Sequence, residues 1–87
     1  MQVDLVNLTT EWVALSTITT VEDNTNYYIQ NRGGGILIGL ESSSTPTATK
    51  GGILVRPFEV AKYKKGTQNL YLRAYSGQCE VNITSEG

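Results

Sequence analysis

Cys79 is the one thiol of the chain, and a nucleophilic thiol needs a neighbouring base to take its proton. The commonest base is missing, because the 87 residues include no histidine. Cys–His and Ser–His–Asp catalysis are thereby excluded, and the most frequent metal ligand goes with them. Cys79 lies on the same alternating face as Val81 and Ile83, so it reads as a small buried filler. A single cysteine also rules out an internal disulfide. The carboxylates offer two pairings, Glu22 with Asp23 and Glu41 with Glu59. Adjacent Glu22 and Asp23 do not converge on one reacting atom, and beside Asn24 they read as a solvated turn. Asp23, Asn24 and Asn26 supply too few oxygens, at the wrong spacing, for a calcium loop. No catalytic residue, metal site or cofactor is expected.

Binding chemistry is thin as well. Gly33-Gly34-Gly35 invites comparison with phosphate loops, but it joins two strands and opens no helix, so that motif is not met. It is expected instead to permit positive φ and a tight reversal. Lys62, Lys64 and Lys65 surround Tyr63, and Lys64-Lys65-Gly66-Thr67 reads as a solvated turn that discourages edge pairing. Tyr63, Tyr71 and Tyr75 with Arg73 are residue types that stack on single-stranded bases. Seven basic residues against eight acidic ones give a net charge of -1 and an acidic pI near 5.2, which argues against a polyanion. A membrane partner is not expected either. The most apolar run, residues 36–40, is far short of the roughly 20 residues a bilayer span requires. No basic segment and long apolar run follow Met1, so no secretory signal is expected, and the Asn-x-Thr patterns at Asn7 and Asn82 read as chance matches.

The elements that carry these residues are short strands. The dominant period is two, broken every few residues by turn formers. Residues 1–10 read as a first strand running towards Leu8 or as an extended arm. Alternating runs follow at residues 12–18, 27–31, 36–41, 53–55, 58–63, 70–75 and 79–84. The polar turn 22–26, the low-complexity loop 42–50 and the hairpin turn Ser76-Gly77-Gln78 separate some of them. In the clearest strand Leu70, Leu72 and Ala74 alternate with Tyr71, Arg73 and Tyr75. The pattern predicts one all-β domain over residues 1–87, a small antiparallel β-sandwich of about eight strands, jelly-roll-like or a small barrel, with negligible helix. Charged residues make up only 17% of the chain, and so short a chain buries a modest core. The face bearing Tyr71, Arg73 and Tyr75 is therefore read as a protein interface, since Tyr and Arg are enriched there.

One stretch gives the chain a family likeness. Tyr28-Ile29-Gln30-Asn31-Arg32-Gly33 is followed by an apolar strand and a loop holding Pro46. Gly52-Ile53-Leu54, Pro57, Glu59, Gly66, Leu70-Tyr71-Leu72-Arg73-Ala74 and Val81-Asn82-Ile83-Thr84 complete the series. Over about residues 10–86 this order resembles small β-sandwich proteins encoded among the structural genes of tailed bacteriophages and prophages. Loop 42–50 and the leader 1–10 depart from it. The resemblance implies no catalytic residues. It implies a virion structural protein assembled in the bacterial host cytoplasm, first of all a capsid decoration protein. The alternatives are a fibre or tail accessory and a carbohydrate- or host-surface-binding module. Its implied partners are the major capsid protein or a fibre or tail protein, together with copies of itself, as a homotrimer before a dimer.

Overall fold

The computed structural model describes residues 2–18, 21–47, 52–75 and 77–86, with side chains from residue 6 to residue 85 of these. Expectations that fall on residues 48–51 of the long loop, or on Ser76, lie outside the described residues. Eight strands follow one another: β1 (Gln2–Leu8), β2 (Val13–Ala14), β3 (Thr25–Asn31), β4 (Leu37–Ser42), β5 (Ile53–Val55), β6 (Val60–Lys65), β7 (Asn69–Ala74) and β8 (Cys79–Glu86). The first sheet has the order β1-β8-β3-β6 and the second β2-β7-β4-β5, every pair antiparallel. The pairs β1·β8, β2·β7, β3·β6 and β4·β5 are those of a single long hairpin, its first four strands matched to its last four in reverse. Rolled up so that β8 also meets β3 and β7 also meets β4, that hairpin becomes a jelly-roll sandwich.

Period-two patterning places the core between the sheets. Tyr27, Ile29, Cys79, Val81 and Ile83 of the first sheet face Leu37, Val55, Leu70, Leu72 and Ala74 of the second, each at most 1% exposed. Each fully buried aliphatic side chain contributes about 1.5–3 kcal/mol. Leu8 of β1 closes the core on one side, and the register of β1 against β8 slips between Val3 and Val6.

A polar clamp joins the sheets at each end. At one end Asn31, fully buried, donates from Nδ2 to the carbonyls of Gly35 (2.6 Å) and Val55 (3.0 Å), while its Oδ1 accepts from the Gly33 N–H (3.1 Å). At the other end Glu41 of β4 accepts from the Tyr63 hydroxyl (2.5 Å) and from the N–H groups of Gly66 and Gln68. A buried polar group left without such partners costs about 1–3 kcal/mol, so each clamp fixes the sheets' relative setting.

Four expectations need correction. Residues 12–18 do not form one strand: after Val13–Ala14 the chain enters a 3₁₀ turn at Leu15–Thr17, the one helical element among the described residues. The Thr17 hydroxyl bonds back to the Ala14 carbonyl, and Leu15 is buried within the turn. Gly33-Gly34-Gly35 does not make a hairpin between paired strands, since β3 and β4 belong to different sheets, and the expected hairpin between β7 and β8 is absent for the same reason. None of Gly33, Gly34 and Gly35 has positive φ. Gly33 is required for close approach, because a Cβ there would lie 2.6 Å from the Glu80 nitrogen. Lys64-Lys65 is not a solvated turn either. Both residues belong to β6, and Lys65 points inward, 3% exposed, with its Nζ 2.7 Å from Asp23 Oδ1. An inward-pointing charge on an edge strand does still oppose pairing with another chain.

Candidate functional site: the outward side of the second sheet

The residues considered for catalysis do not assemble. Cys79 is 1% exposed, and burial pushes its thiol pKa up, opposed by a hydrogen bond with the Gly35 backbone. Such a thiol is a packing residue. Glu41 and Glu59 lie at opposite ends of the sandwich, one at the Gly66 turn and the other beside Asn31. Glu41 is held below the ordinary carboxylate value chiefly by the Tyr63 hydroxyl, with burial acting against it and the Gly66 and Gln68 N–H groups and Lys65 assisting. Burial first, then the hydrogen bond to Glu41, pushes Tyr63 up to about 12. Both shifts keep Glu41 charged and Tyr63 neutral, the states in which the clamp holds. Asp23 is occupied with Lys65, and among the described residues no group of three or more His, Cys, Asp or Glu could hold a metal ion. Tyr63 faces the sandwich interior while Tyr71 lies in the second sheet and Tyr75 just after it, so the three tyrosines do not form one stacking platform. No helix among the described residues is long and apolar enough to cross a membrane.

One surface is left. Because Leu70, Leu72 and Ala74 point inward, Tyr71, Arg73 and Tyr75 share the opposite side of the second sheet. Their exposures differ: Tyr71 is 8% exposed, Arg73 is half-buried and Tyr75 is 44% exposed. The strand register adds residues from every other strand of that sheet. Tyr71 stands between Ala14 of β2 and Leu40 of β4, and Arg73 stands opposite Ile38, which in turn faces Leu54 of β5. Trp12, just before β2, lies with its ring 5.6 Å from the Arg73 guanidinium, a cation–π distance. Arg73 Nε also donates to the Ala74 carbonyl, which holds the guanidinium across the sheet.

The result is a continuous outward side built from Trp12, Ile38, Leu40, Leu54, Tyr71 and Tyr75 around one arginine. Ile38 is already 3% exposed, covered on both sides of its strand, whereas Leu54 remains 56% exposed. Reading β7 by itself yields the Tyr71, Arg73, Tyr75 stripe. Leu40 and Leu54 are invisible to that reading, because only the pairing register brings them beside it. Chemically this surface offers apolar area, aromatic faces and one cation, whose guanidinium already donates to the Ala74 and Tyr75 carbonyls. No family model matches the chain, and no curated protein or solved structure matches it.

Proposed function

We propose that this chain is a non-enzymatic structural protein of a tailed-bacteriophage particle, a capsid decoration subunit that docks through the outward side of its second sheet. The observation that carries the reading is that side itself, where Leu54 and Tyr75 stay exposed beside the half-buried Trp12, Leu40 and Arg73, on a sandwich whose Cys79, Glu41, Tyr63 and Asp23 are engaged in packing or in holding it together. The particle and the capsid are the contribution of the sequence resemblance. Eight-stranded jelly rolls recur in viral capsid and lectin domains, which is support by analogy of fold. The subunit would assemble in the host cytoplasm and reside in the virion, with a homotrimer favoured over a dimer. The molecule measures 29 × 26 × 18 Å, and its broad side is on the scale of the roughly 800 Å² that each partner gives to a standard interface.

Co-sedimentation tests the reading. The purified chain is mixed with expanded and unexpanded heads assembled from the major capsid protein encoded nearest to its gene. Saturable binding to expanded heads is the expected result, and no binding to either form overturns the head assignment. The exposed Tyr75 ring, with Trp12 stacked under Arg73 on the same sheet, favours one competing reading, a carbohydrate- or host-surface-binding module of a fibre or tail. Glycan-array binding by a chain that ignores heads would establish that reading instead.

A further inference from the structure

Between β5 and β6 the chain passes from the second sheet to the first through Arg56-Pro57-Phe58-Glu59. The Glu59 N–H donates to the Arg56 carbonyl at 3.1 Å and closes a four-residue turn, with proline at its second position. Phe58 occupies the third position at φ 65°, the left-handed region that suits glycine or asparagine and strains an aromatic residue. Its N–H donates to the Asn31 carbonyl at 2.6 Å, which ties the turn to the buried clamp. The backbone therefore has a reason to take this shape, and the side chain has none inside the molecule, being 73% exposed. Glycine or asparagine would fill the position without strain. A strained residue whose side chain contributes nothing to its own fold points to a role outside it.

Phe58 is flanked by Leu54, 56% exposed on the outward side of the second sheet, and Val60, 55% exposed on the outward side of the first. These three residues wrap the rim of the sandwich, so a partner covering all of them must straddle that rim. By themselves they fall well short of the area of a standard interface, and the contact has to continue along the second sheet beyond Leu54. Towards the opposite edge of that sheet, which β2 forms, lie Glu11 (exposed) and Trp12 just before β2, with Arg73 on the neighbouring strand β7 and Tyr75 just after it. The two edges complement each other in charge. The turn presents a cation at Arg56 and an anion at Glu59, and the far edge presents an anion at Glu11 and a cation at Arg73.

We propose that the occupant of this corner is a second copy of the chain, with the Arg56–Glu59 turn of one copy seated against Trp12 and Tyr75 of the next. Knob and acceptor lie on opposite edges, so two copies can engage reciprocally about a two-fold axis, or successive copies can engage head to tail and close into a ring when the rotation between them allows. The inference rests on the docking role of the second sheet argued above and specifies which part of a neighbour that sheet receives.

Sedimentation velocity on the full chain, from low micromolar to millimolar concentration, tests it. The parent chain is expected to self-associate. Phe58→Asn is expected to weaken association by on the order of tenfold or more, as loss of one central anchor does, while melting at or above the parent's temperature because asparagine accepts the turn's φ. Arg56→Glu and Glu11→Arg should each weaken association, and the two changes in one chain should restore it. If the parent associates and Phe58→Asn associates equally well, the knob is wrong and the docking role of the sheet survives. A Phe58→Asn chain that melts below the parent makes Phe58 a folding residue and also overturns the proposal. A parent that remains at 9.5 kDa at every concentration overturns self-assembly altogether, whatever the heads then bind.

Discussion

On the outside of the first sheet, Tyr28 stands opposite Lys62 and Thr84, and Gln30 stands opposite Val60 and Asn82. On the outside of the second, Tyr71 stands between Ala14 and Leu40, and Ile38 between Arg73 and Leu54. Each surface carries one cation over an aromatic ring, Lys62 over Tyr28 at 5.7 Å and Arg73 over Trp12 at 5.6 Å. The surroundings of those pairs differ. The lysine sits among amides, hydroxyls and a second lysine, with Val60 on the edge strand as an exposed apolar exception, largely the ordinary cover of a sheet that faces water. The arginine sits among aliphatic and aromatic side chains, and arginine is the cation that tolerates loss of water and binds in a plane. Both surfaces rest on the same core. On the second sheet the buried Tyr71 and Ile38 cover their own sheet, while Leu54 and Tyr75 stay exposed, and the proposed docking rests on that exposed pair.

The largest perturbation should strike both sides equally. Leu72 is fully buried between the sheets, so Leu72→Ala should lower stability by about 2–5 kcal/mol, a large part of what a domain this size possesses. Urea melts are expected to move by that amount at every probe, tyrosines of either sheet included. A loss confined to one sheet would mean the two do not unfold as a unit.

Next in size comes the clamp between the sheets. Glu41→Gln removes the charge that collects three donors, and should cost about 1–2 kcal/mol near neutral pH. The carboxyl pKa is depressed on folding, so its contribution is present above the unfolded value and drains away as pH falls through the folded one. The parent should accordingly lose stability on acidification below the ordinary carboxylate range, and Glu41→Gln should lose less. Tyr63 is shifted the other way, from 10.0 to about 12. Its contribution is complete below pH 10 and is lost as pH rises towards 12, a loss absent from Tyr63→Phe.

Much of this fold is legible in the residues themselves. The alternation of Leu70, Leu72 and Ala74 with Tyr71, Arg73 and Tyr75 gives both the strand and its two sides, and Cys79, Val81 and Ile83 do the same for β8. What escapes local reading depends on distant partners. Val13 and Leu15 point inward whether the chain continues as a strand or turns after Ala14, so alternation cannot separate the two. Lys65 is buried because Asp23, 42 residues away, waits for it. Gly33 answers to the backbone of Glu80, on a strand far along the chain. The docking side is half legible for the same reason, with the β7 stripe visible and the contributions of β2, β4 and β5 set by register. Pro57 signals a turn, but nothing in its neighbours reveals that Phe58 must adopt positive φ.

The smallest changes in stability should separate the two sides most sharply. Tyr71 is too buried to probe docking cleanly, since its removal would open the sheet's own cover. Leu54→Ser with Tyr75→Ser avoids this, and should shift stability by no more than about 0.5 kcal/mol per site while reducing self-association in light scattering. Lys62→Ala on the first sheet should leave both stability and mass close to the parent's. Equal effects of the two variants on mass would erase the distinction between the sides.

Hydroxyl-radical footprinting of the parent chain, followed residue by residue as concentration rises, tests the central claim most directly. Trp12, Leu54 and Tyr75 should become protected as the assembly forms, while Tyr28 on the first sheet keeps the reactivity it has in dilute solution. Protection of Tyr28 with Trp12 and Tyr75 left reactive would contradict the account, because the molecule would then be docking through the side assigned here to water.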